Sequence, residues 1–426
     1  MAPASVLPLN LASISYTLNA ARARAKMSIE NMRSAPNPAG RRDFMKCSLA
    51  WLGAGMATLA AGCGRNRAEL EIQSAAPSPT LRRIPSPTPR PLHEAMFYRT
   101  LDDGRVQCQI CFRTCIVPDG KLGFCKNKKN VGGRYYSLIY GRPLALHPDP
   151  IEKEPVFHML PGSQIFCTGT ASCNQRCQFC QNWEMSQRTL WEVQNLDAMP
   201  EEVVAMALEA GCQAVSFTYN EPTVFYEQMY DTARLAKQAG LRALFHTNGT
   251  MNPKPLLALL EHMDAIVVDL KAFTPEFYER VCSSELAPVL RTLRTIAEAS
   301  VHLEIVHLII PTKNDDLEQT RRMCDWIVQT VGERVPLHLN RFFPAYKLKR
   351  LPPTPIETLE AAAAAADEAG LQYVYIGNLP GHVRNSTFCP TCGRVLIDRV
   401  HFVVLENHLR QGRCPDCGER IPGIWS

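Results

Sequence analysis

The sequence predicts an α/β protein whose core is a partial or full parallel β/α barrel of the TIM type. Between residues 161 and 385, short apolar runs alternate with helical patterns, and repeated strand–helix units imply a parallel sheet. Enough such units curl into a whole or partial barrel. Polar residues follow almost every strand, at the end where barrels build their sites. Two cysteine-rich modules flank this core, at residues 93–160 and 386–426.

Composition limits the classes of function. The chain has 426 residues and a net charge of +5, which is too mild to indicate nucleic-acid binding. Its 17 cysteines include closely spaced groups, and such spacing is typical of metal ligation rather than of a disulfide framework. No apolar run is long enough for an ordinary membrane span.

Residues 1–63 are predicted to be a disordered arm that carries a targeting signal. The run Arg41-Arg42-Asp43-Phe44-Met45-Lys46 precedes a short apolar stretch and small residues, a pattern that resembles a twin-arginine signal. We therefore expect export, with Cys63 as a candidate site for a lipid anchor. The alternative is a disordered arm with a chance arginine pair. Residues 64–92 are rich in Pro and Ser and predict an extended linker.

The N-terminal module carries four cysteines, here called the first quartet: Cys108, Cys111, Cys115 and Cys125. Four sulfurs can complete the coordination of a zinc ion or of an iron–sulfur cluster, so we expect a closed site. Spacing alone does not separate zinc from iron. Free structural thiols are the remaining alternative.

A second group, here called the cysteine loop, spans residues 173–180 and has three thiols: Cys173, Cys177 and Cys180. Three thiolates leave one coordination position of a metal centre open, and an open position allows chemistry. The alternative is a zinc loop that borrows a distant fourth ligand. Because the loop follows the first predicted barrel strand, we expect it at the rim of the barrel.

The barrel elements are assigned from the alternation of apolar strands with amphipathic helices. Strands are predicted at residues 165–169, 214–218, 242–246, 265–270, 302–310, 337–342 and 373–376. Helices are predicted at residues 200–211, 225–239, 253–262, 286–299, 317–331 and 356–369.

Unusual polar residues lie on these strands or directly after them. They are Asn220 and Glu221, His246 and Asn248, Asp269 and Lys271, His307, His338 and Asn340, and Asn378. Any one of them alone could be a turn residue, a helix cap or a satisfied core residue. Because the carboxyl ends of parallel strands share one rim, we expect the set to form a single site with the cysteine loop.

The C-terminal module contains two C-P-x-C-G knuckles, whose cysteines are here called the C-terminal quartet: Cys389, Cys392, Cys414 and Cys417. Two knuckles at this separation predict a zinc ribbon, with an apolar strand at residues 400–405. Zinc is favoured over a rubredoxin-like iron, which has the same ligands.

From about residue 95 to its end, the sequence resembles the radical S-adenosylmethionine (SAM) enzymes of the AmmeMemoRadiSam group. This group is related to the pyruvate formate-lyase activating enzymes. The shared features are the first quartet, the C-x3-C-x2-C loop with Phe179 before its third cysteine, the segments Tyr-Asn-Glu-Pro-Thr, Thr-Asn-Gly and Asp-Leu-Lys, and the C-terminal cysteine pairs.

The resemblance implies that the cysteine loop holds a [4Fe–4S] cluster whose open iron is chelated by SAM. Glu221 would bind the methionyl amine, and the other residues of the cofactor site would be Phe179, Asn220, Asn248, Asp269 and Lys271. A carboxylate and an ammonium group together suit a zwitterionic ligand. The implied reaction cleaves SAM reductively to a 5′-deoxyadenosyl radical, which takes hydrogen from an unidentified substrate.

The resemblance also implies partners. These are an electron donor such as flavodoxin or ferredoxin, together with AMMECR-type and Memo-type proteins. A narrower alternative is an activase for a glycyl radical enzyme, and a non-enzymatic alternative is a multi-metal binding protein. Because SAM and low-potential electrons are cytoplasmic supplies, a cytoplasmic location is the alternative to export.

Overall fold

The computed structural model describes residues 91–426, all of which belong to one compact unit. The arginine pair, Cys63 and all but the last two residues of the predicted linker lie outside the described residues. Between residues 91 and 426, none of the helices has the length and the apolar character of a membrane span.

Two small antiparallel sheets form the N-terminal part. Their strands are β1 (His93–Glu94), β2 (Tyr98–Thr100), β3 (Val106–Cys108), β4 (Ile116–Val117), β5 (Lys128–Val131) and β6 (Arg134–Ser137). One sheet has the order β1-β6-β5 and the other β2-β3-β4. Lys128 of β5 is buried and forms an ion pair with buried Glu227, which ties this part to the central region.

The central sheet has eight strands and positions the site. They are β7 (Ala145–Pro150), β8 (Gln164–Gly169), β9 (Ala214–Phe217), β10 (Arg242–Thr247), β11 (Ala265–Asp269), β12 (His302–Ile309), β13 (Leu337–Arg341) and β14 (Val374–Gly377). Pairing is parallel from β8 to β14, and β7 pairs antiparallel with β8. The sheet order ends at β14 and β7, so the barrel is partial.

The predicted strands β8 to β14 are all present, with ends that differ from the prediction by at most one residue. The six predicted helices are also present, within two residues at each end. The helices are α1 (Trp183–Ser186), α2 (Pro200–Glu209), α3 (Tyr226–Gln238), α4 (Pro253–Leu260), α5 (Pro275–Phe277), α6 (Leu286–Ala297), α7 (Leu317–Thr330) and α8 (Ile356–Glu368). The short helices α1 and α5 and the antiparallel strand β7 were not predicted.

Residues 151–160 fill the concave face of the sheet near the amino ends of the strands. Ile151, Val156 and Met159 pack there against inward-facing residues of β8 to β12. The buried carboxylate of Glu304 accepts hydrogen bonds from the backbone N–H groups of Phe157 (3.0 Å) and His158 (2.8 Å). The predicted boundary at residue 160 stays a prediction, although β7 and the segment after it pack with the barrel.

The C-terminal part is a three-stranded sheet of β15 (Thr387–Phe388), β16 (Val395–Val400) and β17 (Val403–Asn407). The predicted strand at 400–405 is confirmed only for residues 403–405 of β17, because residues 401–402 form the turn between β16 and β17. Arg399 is buried, lies 3.5 Å from the carboxylate of Glu152 and donates to the carbonyl of Phe157 at 2.7 Å. This sheet is therefore anchored on the same segment that fills the barrel.

Replacing Glu304 with Ala tests whether this carboxylate anchors residues 151–160. Its removal leaves two buried N–H groups and two histidines, His302 and His338, without their acceptor. We expect the free energy of unfolding to fall by about 3–5 kcal/mol in chemical denaturation. Exposed Glu298→Ala is the control and should change it by less than about 0.5 kcal/mol. Equal effects of the two substitutions would contradict the anchoring role.

Candidate functional site

A cavity of roughly 610 Å³ opens at the carboxyl ends of the parallel strands. Its volume is in the range that holds a ligand of cofactor size. Its lining includes thirteen residues that the sequence singled out: Cys173, Cys177, Phe179, Cys180, Asn220, Glu221, His246, Asn248, Asp269, Lys271, His338, Asn340 and Asn378. The fold therefore brings this set together, and their individual roles stay predictions.

The cysteine loop follows β8 and forms one wall of the cavity. Cys173 and Cys177 are buried and Cys180 is half-buried. The Gln175 backbone N–H donates to the Cys173 sulfur at 3.3 Å, and Cys180 lies 3.1 Å from the Ser186 hydroxyl. Burial and neighbouring acidic groups raise the pKa of Cys173 well above its usual range, so a cationic centre is needed to hold it as a thiolate.

Three asparagines hold the loop in place. Asn248 donates to the side chain of Asn174 at 2.8 Å, and Asn174 donates to Thr250 at 2.9 Å. Asn220 accepts from the Thr170 backbone N–H at 3.0 Å and donates to the Ser172 carbonyl at 2.7 Å. Asn220 and Asn248 line the cavity, yet their side-chain amides serve mainly to position the loop.

Glu221 is buried at the edge of the cavity, between β9 and β10. Its carboxylate accepts hydrogen bonds from the Asn248 backbone N–H (2.7 Å) and the Thr247 hydroxyl (2.9 Å), and also from Thr223. Burial raises the pKa of Glu221, although these donors oppose the rise. A cationic group in the cavity would stabilise the ionised carboxylate further. The neighbouring residue Tyr219 has a φ of 69°, and its hydroxyl donates to Asp149 at 2.7 Å, which fixes the turn before Glu221.

A chain of charged residues runs from Lys271 through Asp269 and His246 to Glu154. The Lys271 ammonium lies 2.6 Å from Asp269, and His246 lies 3.1 Å from Asp269 and 3.3 Å from Glu154. The Cys167 thiol completes the chain by donating to Glu154 at 3.3 Å. Burial opposes a charge on His246, but Asp269 and Glu154 outweigh it and raise its pKa to about 10.

Sequence reasoning misplaced one residue and missed others. His307 does not line the cavity, because Val306 and Leu308 face inward on β12 and His307 therefore faces the other side. Its ring instead contacts the Leu270 carbonyl at 2.8 Å. Glu154 and Cys167 were not identified as site residues, and neither was Cys282, whose neighbouring thiol is the main cause that raises the pKa of Cys177. These residues are distant from the motifs in sequence, so no local pattern marks them.

The C-terminal quartet can hold one metal ion. All four sulfurs lie within 4.8 Å of one another, and Cys389 and Cys417 are 3.5 Å apart. A tetrahedral zinc with sulfur ligands at about 2.3 Å would require sulfur separations near 4 Å. Burial opposes ionisation of Cys414, but the backbone amides of Cys417 and Asp416 lower its pKa to about 7.

The first quartet has a different geometry. Its members are mutual electrostatic neighbours, since Cys111 and Cys125 contribute to the raised pKa of Cys108. Among residues 91–426, however, the C-terminal quartet is the one group of potential ligands that clusters within 4.8 Å. The first quartet is therefore spaced too widely, as it stands, for a single ion.

Comparison with protein families supports a specific interpretation of this site. The model of the radical SAM superfamily matches residues 168–324, which include the cysteine loop and strands β9 to β12. Uncharacterized protein MJ0808 of Methanocaldococcus jannaschii is 43% identical over 332 residues, covering 78% of this chain and 99% of its own.

More distant similarities involve named enzymes. The pyruvate formate-lyase-activating enzyme of Listeria monocytogenes is 27% identical over 165 residues, which is 36% of this chain and 66% of that enzyme. A solved radical SAM methyltransferase from Sphaerobacter thermophilus is 16% identical, with a TM-score of 0.41 over 51% of this chain and 67% of its own.

Replacing His246 with Gln tests the charged chain through its pH dependence. The pKa of His246 is about 10 when folded and about 6.5 in an unfolded chain. Protonation therefore stabilises the fold fully below about pH 6.5, and this stabilisation is lost as the pH rises toward 10. We expect the difference in unfolding free energy between wild type and His246→Gln to shrink over that interval.

The matched control is His262→Gln, because the pKa of His262 is lowered by burial rather than raised. Its difference from wild type should stay constant above about pH 7. A His246→Gln difference that is equally flat would contradict a protonated imidazolium between Asp269 and Glu154.

Proposed function

The chain belongs to the radical SAM superfamily and is an enzyme, and we propose that its cavity binds SAM beside a [4Fe–4S] cluster held by the cysteine loop. When bound, this cluster supplies the electron that cleaves SAM to methionine and a 5′-deoxyadenosyl radical. The observation that carries the proposal is the placement of the three thiols of the cysteine loop on one wall of the cavity. The match to the radical SAM superfamily and the similarity to an activating enzyme support an enzyme over the non-catalytic, multi-metal binding protein.

The residues present fit a cluster in chemical terms. The three thiols are soft ligands. Burial raises the pKa of Cys173 and Cys180, and the neighbouring Cys282 together with burial raises the pKa of Cys177, so binding of cationic iron would release their protons. Asn174 and Asn248 position Cys173, and Ser186 contacts the sulfur of Cys180. These contacts hold two of the three thiols in defined positions.

The charges of the cavity fit the amino-acid part of SAM. Glu221 offers a buried carboxylate to the ammonium group, and its four donors keep it in one orientation. Lys271 offers an ammonium group to the SAM carboxylate. Asp269 pairs with this ammonium group and is itself held in place by its contact with His246. Both groups are held by second partners, so they are oriented before the cofactor binds.

The deeper lining of the cavity supports a polar substrate. Asn340 and Asn385 each have a buried side-chain carbonyl without a hydrogen-bond partner in the described chain, and His338 has a similarly unpaired Nδ1. Such groups are costly when they remain unpaired. A substrate with hydrogen-bonding groups would satisfy them and would be oriented by them.

Narrower expectations remain proposals. Membership of the AmmeMemoRadiSam group rests on the shared motifs, and the proposed AMMECR-type and Memo-type partners rest on that membership. Similarity to the Listeria activating enzyme supports an activase role for a glycyl radical enzyme. Zinc in the C-terminal quartet is supported by its close sulfur spacing. Export through a twin-arginine signal rests on the sequence of residues outside the described part.

The direct test is formation of 5′-deoxyadenosine. Full-length protein, reconstituted anaerobically with iron and sulfide and then reduced by dithionite, should convert SAM to 5′-deoxyadenosine, measured by chromatography. Cys177→Ala should abolish the product, because two thiols cannot hold the cluster in place. Cys324→Ala removes a buried thiol of α7 outside the site and is the matched control, which should retain activity. A wild-type protein without product would refute the proposal.

A further inference from the structure

The first quartet lies directly behind the cysteine loop. The Arg176 guanidinium of the loop donates to the carbonyl of Phe124, the residue before Cys125, at 3.3 Å. Ser172 donates to the Cys125 carbonyl at 2.6 Å, and the Arg113 guanidinium donates to the Asn174 carbonyl at 2.5 Å. Hydrogen bonds thus join the segments that carry the first quartet directly to the cysteine loop and to the residue before it.

The quartet also lies on the outer side of that loop. None of its four cysteines lines the cavity, whereas all three thiols of the loop do. Cys111, Cys115 and Cys125 are half-buried residues, so the quartet lies near the surface, although burial of their thiols raises the pKa of Cys111 and Cys125. A metal centre at this place would be near the loop and near the surface, but out of reach of a substrate in the cavity.

The spacing of the sulfurs favours a cluster over a single ion. Zinc draws its four ligands into close contact, as in the C-terminal quartet. The four thiolates of a [4Fe–4S] cluster bind different iron atoms and therefore lie farther apart. The first quartet has the wider arrangement, with four cysteines that remain electrostatic neighbours.

The charges around the quartet fit a second anionic centre. The guanidinium groups of Arg113 and Arg176 lie over the ring of Phe124, at 3.5 Å and 4.4 Å from its centroid. They contact the carbonyls of Asn174 and Cys173 and so lie between the two cysteine groups. Two positive charges there reduce the repulsion between neighbouring thiolate-bound clusters. Lys121 and Lys126 are exposed beside the quartet.

From this geometry we propose that the first quartet holds a second iron–sulfur cluster that receives electrons at the surface and passes them to the cluster of the cysteine loop. This role rests on the proposed function. The electron source is a reduced, low-potential protein donor with an acidic surface, which the exposed lysines would attract. In each transfer the donor loses one electron and the loop cluster gains it. No bond or proton changes place.

Metal analysis of the full chain tests the site without SAM cleavage. In the triple variant Cys173→Ala/Cys177→Ala/Cys180→Ala, anaerobic reconstitution should leave about half of the wild-type iron and sulfide. The reduced variant should show the electron paramagnetic resonance (EPR) signal of an iron–sulfur cluster. Adding Cys111→Ala and Cys115→Ala to the triple variant should remove the remaining iron and sulfide and the EPR signal. Cys212→Ala, which changes a buried thiol outside all three groups, should keep the wild-type iron content.

Loss of all iron in the triple variant, or zinc in the first quartet, would overturn the second cluster. That result is distinct from failure of the proposed function, which is the absence of 5′-deoxyadenosine from wild-type protein. If the triple variant does not fold, the same measurements are made on wild-type protein. Its iron content and EPR spectrum should then correspond to two clusters rather than one.

Freeze-quench EPR tests the direction of electron flow. Wild-type protein and the Cys115→Ser variant are each mixed with a reduced flavodoxin. Cys115 is chosen because it has no described hydrogen bond to the cysteine loop. The loop cluster should become reduced several-fold more slowly in the variant, although dithionite still reduces it in both proteins. Equal rates with flavodoxin in the two proteins would overturn the relay.

Discussion

The hydrogen bond between Asn248 and Asn174 joins the parts on which the site depends. Asn248 lies just after β10, where its backbone N–H holds Glu221 at 2.7 Å and its side chain holds Asn174 at 2.8 Å. Asn174 belongs to the cysteine loop, and its carbonyl accepts a hydrogen bond at 2.5 Å from Arg113, which lies between Cys111 and Cys115 in the sequence. The position of the loop is therefore set by the end of a barrel strand, and the carboxylate in the cavity is fixed by the same residue.

Parallel pairing explains why so much of the site could be predicted. Because β8 to β11 run in the same direction, residues such as Glu221, Asn248 and Lys271 must meet at one rim although they are far apart in the sequence. The prediction failed where the direction of a side chain depends on whether its residue faces the inner or the outer side of a strand. His307 lies on the rim strand β12, but its neighbours face inward, so its own side chain does not.

Long-range packing explains what the sequence could not reveal. Residues 151–160 enter the barrel because Glu304 satisfies two of their N–H groups, and a single buried glutamate gives no recognisable pattern. Glu154 lies in this segment and contacts His246, although 92 positions separate the two residues in the sequence. The spacing of cysteines predicted three groups, but their different sulfur separations depend on the surrounding fold.

We propose that SAM binds the open side of a cluster held by the three thiols of the cysteine loop. The most direct measurement is electron–nuclear double resonance of reduced protein with SAM labelled by ¹⁵N in its amino group and ¹⁷O in its carboxylate. Direct chelation predicts hyperfine coupling of both nuclei to the cluster, and this coupling should disappear in Cys177→Ala. A reduced cluster that binds SAM without coupling to either nucleus would contradict the account.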